Sequence, residues 1–221
     1  MLPYSWDPEY QARIGLLPRE GGSDDVRWFE IDPCFVFHTL NAYEVGPPEA
    51  PQSVIVDVIR YGRMFATDLN GPNEGPSILT RFTVDLLADR VREEQMDQQP
   101  QEFPRIDQRL TGSRHRYGYA VGFEHTRGGD GVIKHDLTTG TCVVRRLGAG
   151  QEAGEFCFVP ASDAAAEDEG VLMGYVLDRA SDRSDLVLLD AQTLEDVARV
   201  HLPGRVPAGF HGNWTRTHAG Q

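Results

Sequence analysis

Cysteine is scarce in this chain of 221 residues. Cys34, Cys142 and Cys157 make an odd set with no CxxC spacing. That count excludes a disulfide framework and a thiolate zinc site, and fits buried apolar thiols in a reducing compartment. Basic residues are also few, with 21 Lys and Arg against 34 Asp and Glu and a net charge of −13. Nucleic acid and anionic membrane surfaces need clustered cations, so the charge argues against both as partners. No apolar run is long enough to span a bilayer. The first residues, MLPYSWDP, lack the basic and apolar regions of a secretory leader. Together these features read as a cytoplasmic protein. There is no P-loop, no GxSxG elbow and no GxGxxG fingerprint. A cysteine nucleophile is excluded by the apolar strands around Cys34 and Cys157, which raise a thiol pKa.

Helical periodicity is nearly absent too. Only residues 9–14 and 90–98 are at all helix-like, and the second window reads equally well as a strand and a loop. What is present is strand after strand. β-branched and alternating runs occupy residues 53–60, 78–84, 131–134, 141–145, 171–177 and 185–189. Dense turn signals separate them, such as NGPNEGP at 70–76, GGDG at 128–131 and TTG at 138–140.

A weak repeat runs through this pattern. Three strands end in aspartate, pass a short turn and enter a second strand. Asp85, Asp136 and Asp190 are the closing residues, 51 and 54 positions apart. Each aspartate is expected to cap its turn with its own side chain. Several short strands per unit of about fifty residues predict an all-β fold, with one propeller blade per unit. The chain would then hold about four blades in a single domain, 1–221.

Four residues recur at one place in this repeat. His38, Glu102, Glu155 and His211 each precede or begin the run that opens a unit, 64, 53 and 56 positions apart. The opening strand of a blade is the innermost, so their side chains are expected to converge on the axis. Two imidazoles and two carboxylates suit a first-row metal ion such as iron, zinc, copper or nickel. The glutamates could accept the second ring N–H of each histidine, or one of them could bind the metal itself. Taken singly, each residue has a plainer reading. The histidines would be core residues among aromatics, Glu102 a charge at a strand edge and Glu155 a turn residue. The recurrence is what favours the site. His115, His125, His135, His201 and His218 read as surface or turn residues. Phe35, Phe37, Phe103 and Phe210 are candidates to line a substrate passage, with core packing as their ordinary role.

The segments WFEIDPCFVFHTLNAYE (28–44), EFPRID (102–107), RYGYAVG (116–122), GEFCFVP (154–160), SDRSDLVLLDA (181–191) and LPGRVPAGFHGNW (202–214) together resemble the C-terminal half of the carotenoid cleavage oxygenase family, which includes apocarotenoid and lignostilbene dioxygenases. The resemblance implies a partial seven-bladed β-propeller carrying an apolar tunnel. It implies Fe(II) as cofactor, held in the family by four histidines, three of them bonded by glutamates. His38 and His211 match two of the ligands. Glu102 and Glu155 match the glutamates expected to orient His38 and His211. The implied reaction is O2-dependent cleavage of a conjugated C=C bond in a polyene or stilbene, giving two carbonyl products. Substrate entry from a membrane surface and a separate N-terminal half-protein as partner are further implications. Two ligands and one glutamate belong to the half without a counterpart here, so the lone chain is expected to be inactive. Thr39 stands where the pattern has proline, and Cys157 is a second departure. The alternatives are a non-catalytic propeller scaffold that binds no metal, and a complete four-bladed enzyme with a two-histidine site.

Overall fold

The structure, a computed structural model, describes residues 5–72, 74–123 and 128–216. Met1–Tyr4, Asn73, His125 and His218, all part of the sequence expectations, lie outside the described residues. Among the described residues there is no α-helix, only two 3-10 turns at Ser23–Asp25 and Gln108–Leu110. The helix-like window at 9–14 is a turn leading into a strand, and the one at 90–98 is mostly strand. The chain divides into two compact units, Met1–Gln99 and Pro100–Gln221.

The first unit opens with a two-stranded sheet of β1 (Arg13–Leu16) and β2 (Arg27–Glu30). A four-stranded antiparallel meander follows: β3 (Phe35–Val45), β4 (Ser53–Tyr61), β5 (Ser77–Asp85) and β6 (Arg90–Gln95). Of its central strands, β4 is a nearly continuous apolar run with no exposed residue, whereas β5 alternates apolar with polar residues. One charge sits inside. Asp57 is fully buried and faces Arg81 across the β4–β5 ladder, accepting from Nε at 2.7 Å and Nη2 at 2.8 Å. The cross-strand register delivers the fork geometry that makes such a buried charge tolerable.

The second unit repeats the meander twice. One sheet holds β7 (Gln101–Arg105), β8 (Tyr117–Gly122), β9 (Gly131–Asp136) and β10 (Thr141–Arg146). The other holds β11 (Gln151–Pro160), β12 (Gly170–Asp178), β13 (Arg183–Asp190) and β14 (Asp196–His201). Their facing sides form one core, in which Tyr119, Val121 and Val132 meet Phe156, Phe158, Leu172 and Leu189. The Tyr119 and Phe158 rings stack with centroids 5.9 Å apart. The other side of the second sheet is apolar as well, yet Tyr175 and Val200 are about half exposed there. Among the described residues the repeat unit is therefore a four-stranded blade, present three times, with the small β1–β2 sheet in addition.

The aspartate turns form as the repeat predicts. Oδ1 of Asp85 accepts from the amides of Leu87 and Ala88, that of Asp136 from Thr138 and Thr139, and that of Asp190 from Gln192 and Thr193. Four residues beyond each aspartate the chain enters the left-handed region, at Asp89, Gly140 and Leu194. Asp178 builds a fourth copy between β12 and β13, with Asp182 at the left-handed position. Only one of these four positions is glycine, so the usual sequence signal of the turn is missing at the others. Leu194 is buried in the core, which offsets the strain of its φ of 62°.

These bonds hold Asp85, Asp136 and Asp190 below the ordinary aspartate range, the amide donors leading at Asp85 and Asp190 and the Arg116 guanidinium at Asp136. A depressed folded-state pKa gives stability that is present above the unfolded value near 3.8 and lost as pH falls through the lower folded values. Asparagine can still accept the amide bonds but cannot titrate. The triple variant D85N/D136N/D190N should therefore lose less stability than wild type between pH 5 and about pH 2, by urea unfolding across that range. Equal acid sensitivity of the two proteins would refute this account of the turns.

Candidate metal centre

Three of the four candidate residues sit in or beside an irregularity of a first blade strand. In β3, Val36 pairs with Arg60 and Thr39 with Val58, so Phe37 and His38 oppose the single residue Ile59. In β7, Glu102 pairs with Val121 and Arg105 with Tyr119, so Phe103 and Pro104 oppose Ala120. In β11, Ala153 pairs with Val176 and Phe156 with Gly174, so Gly154 and Glu155 oppose Tyr175. A bulge inserts one residue, bends the strand and re-aims a side chain that regular alternation would send elsewhere. Pro104 suits such a place because it has no N–H to give to a ladder. Phe103 beside it has a φ of 53°.

His38, in the first unit, is half-buried on β3, its ring centroid 6.3 Å from that of Phe37. Phe35, Phe37, Tyr61 and Phe65 form an edge-to-face aromatic group around that end of the strand. Glu102, in the second unit, is buried, and its Oε2 accepts from the amide of Phe103 at 2.8 Å. Glu102 lies on the edge strand of its sheet, as its plain reading has it, but is buried there, while the plain reading of Glu155 as a turn residue is corrected by its place in β11.

Glu155 and His211 are brought together. Nδ1 of His211 lies 3.2 Å from Oε1 of Glu155, and the Gly212 amide donates to Oε2 at 2.8 Å. Arg105 grips the same carboxylate from the other side, with Nε 2.8 Å from Oε1 and Nη2 2.7 Å from Oε2. Burial pushes the Glu155 carboxyl up, but Arg105, the Gly212 amide and His211 outweigh it and leave the group below its usual range. An ionised carboxylate only accepts, so Nδ1 of His211 must be the donor. A neutral ring in that tautomer keeps its lone pair on Nε2, the state a metal-binding imidazole requires.

His211 is not on an inner strand, as the repeat suggested. Residues 202–216 carry neither strand nor helix. Two other histidines also depart from expectation. His115 is buried because it alternates between exposed Arg114 and Arg116. His135 is buried in β9, covered on both faces, with Nε2 2.7 Å from Oε1 of the buried Gln101. His201 is exposed on β14, as expected, and its Nδ1 lies 2.8 Å from Asp185. Cys142 is exposed on an outer strand rather than buried, while burial raises the Cys34 and Cys157 thiols. Phe210 is exposed, whereas Phe103 packs on Phe123 and meets the His211 ring edge-on. Arg105 is the residue that the sequence reading overlooked. Its only signal there is a cation three places after Glu102 at the end of the same short strand.

The sequence profile of the RPE65 family, retinal pigment epithelial membrane protein, matches residues 1–216. The chain belongs to the RPE65/carotenoid oxygenase family. A carotenoid cleavage oxygenase of Mycobacterium tuberculosis is 48% identical over 98% of this chain and 44% of its own length. The apocarotenoid-15,15'-oxygenase of Synechocystis is 33% identical over 95% of this chain and 44% of its own. An isoeugenol monooxygenase of Pseudomonas putida is 32% identical over 96% and 48%. The crystal structure of cobalt-substituted Synechocystis ACO superposes with a TM-score of 0.86 at 32% identity, covering 96% of this chain and 45% of that one. The family member described here thus spans a little under half the length of these relatives. Its blades are part of the seven-bladed carotenoid oxygenase propeller.

Proposed function

We propose that this chain is the His38- and His211-bearing part of a non-haem Fe(II) dioxygenase that cleaves a conjugated C=C bond of a carotenoid, apocarotenoid or stilbene with O2, giving two carbonyl products. The observation that carries the reading is the hydrogen bond between Nδ1 of His211 and Glu155, which selects the tautomer whose Nε2 carries the lone pair that a metal would take. Relatives that bear the names carotenoid cleavage oxygenase and apocarotenoid oxygenase support the reaction class. A relative crystallised in cobalt-substituted form supports a divalent ion. Fe(II) bound at His38 and His211 would supply the O2 chemistry. The chain's own residues hold the two imidazoles, with Glu155 fixing one ring and Glu102 serving the other. The apolar side of the second sheet, with Val171, Met173, Tyr175, Leu186, Leu188 and Val200, supports association with an N-terminal half. Access for substrate from a membrane surface and a cytoplasmic location complete the proposal.

The test compares the chain alone with the chain co-expressed with the unmatched N-terminal part of the mycobacterial relative. The pair is expected to hold stoichiometric iron and cleave an apocarotenal. H38A and H211A are each expected to abolish both, and the lone chain to do neither. Tight stoichiometric iron with turnover by the lone chain would overturn the half-site argument. Metal content unchanged in both histidine variants would leave a non-catalytic propeller scaffold.

A further inference from the structure

His211 is held by side chains, not by a strand ladder. The Gly212 amide donates to Oε2 of Glu155, and the Gly212 carbonyl accepts from Nη2 of Arg105 at 2.6 Å. Both backbone groups of Gly212 are thus met by one ion pair, which stands in for a neighbouring strand. Beside it, Nε2 of Gln108 donates to Oδ1 of Asn213 at 3.0 Å.

We propose that Arg105 is a positioning residue for His211, seating residues 211–213 through the Gly212 carbonyl and holding Glu155 so that Oε1 meets Nδ1 of the ring. The consequence for a metal rests on the proposed function; the seating does not. The guanidinium is the group that suits the task. Its planar fork makes two parallel bonds to one carboxylate and keeps a further N–H for the carbonyl, whereas an ammonium offers a point charge. The His211 side chain is 53% exposed, so burial alone does not fix its ring.

The test uses the whole chain with 15N-labelled histidine at one neutral pH. Wild type is expected to show His211 as the Nδ1–H tautomer. R105M should show tautomer averaging, with protease cleavage within 209–214 rising about tenfold, the worth of roughly one lost hydrogen bond. R105K should recover only part of the protection. R116M is the control: it removes the comparable bidentate pair with Asp136 on the neighbouring strand and should leave the His211 signals unchanged. Wild-type ring signals and wild-type protection in R105M would overturn the proposal, as would an equal change in R116M. Co(II) uptake keeps the two readings apart. Tautomer loss in R105M supports the positioning role even if H211A leaves Co(II) uptake unaltered, a result that would sink only the metal reading.

Discussion

Replacing Glu155 with alanine is expected to cost the chain about 3 kcal/mol in urea unfolding at pH 7. The carboxylate is 5% exposed and its partner Arg105 is 21% exposed. Removing one member of a buried pair leaves the other without compensation, here together with the Gly212 amide and Nδ1 of His211. The figure lies at the low end for buried pairs because Arg105 can turn partly to water. E155Q should cost less, since the amide still accepts. The loss should also depend on pH in a set direction. The folded Glu155 pKa is depressed, so its stabilisation is present above the ordinary value of 4.5 and lost as pH falls through the folded value. The gap between wild type and E155Q should therefore narrow below about pH 4. On the proposed metal reading, E155A should also weaken metal binding by roughly 10–100-fold, the usual effect of removing the hydrogen-bond partner of a ligating histidine. An E155A chain as stable at pH 7 as wild type would show that the ion pair holds nothing in place.

The strands and aspartate turns were legible because their causes are local. Alternation, β-branching and an aspartate followed by two amides are all written within a few residues. The candidate site was legible only as a list of positions, since His38, Glu102 and Glu155 lie on the opening strands of their blades. Its geometry was not. A bulge is a mismatch between two strands, and nothing within residues 36–39 or 153–156 alone says that the partner strand is one residue shorter. Arg105 was missed for a related reason, because its partner lies 50 residues away. Sequence reasoning misplaced His115 because its neighbours are polar, and His135 because a glycine-rich turn lies close by in the chain. In a strand, or in an extended loop with the same alternation, a polar neighbour points to the opposite side.

The bulge at Glu155 is tied to the core by a glycine, which gives the second large expected effect. Gly174 lies opposite Phe156, next to the two residues that bulge. A Cβ built there would sit 2.7 Å from two carbons of the Phe156 ring and 2.8 Å from the Glu155 carbonyl oxygen. G174A should therefore cost about 2 kcal/mol by overpacking. F156A, which removes a 2% exposed ring from the core, should cost about 4 kcal/mol. The double variant should be less destabilised than the sum by about 1 kcal/mol or more, because the cavity of one change accepts the methyl group of the other. The backbone contact survives in both backgrounds. The Glu155 segment should thus stay displaced in the double variant, read by the 15N tautomer signal of His211. Strict additivity in unfolding would place the strain at the Glu155 carbonyl alone. Non-additivity with a restored His211 signal would place it in the ring and make core packing the feature that aims the carboxylate.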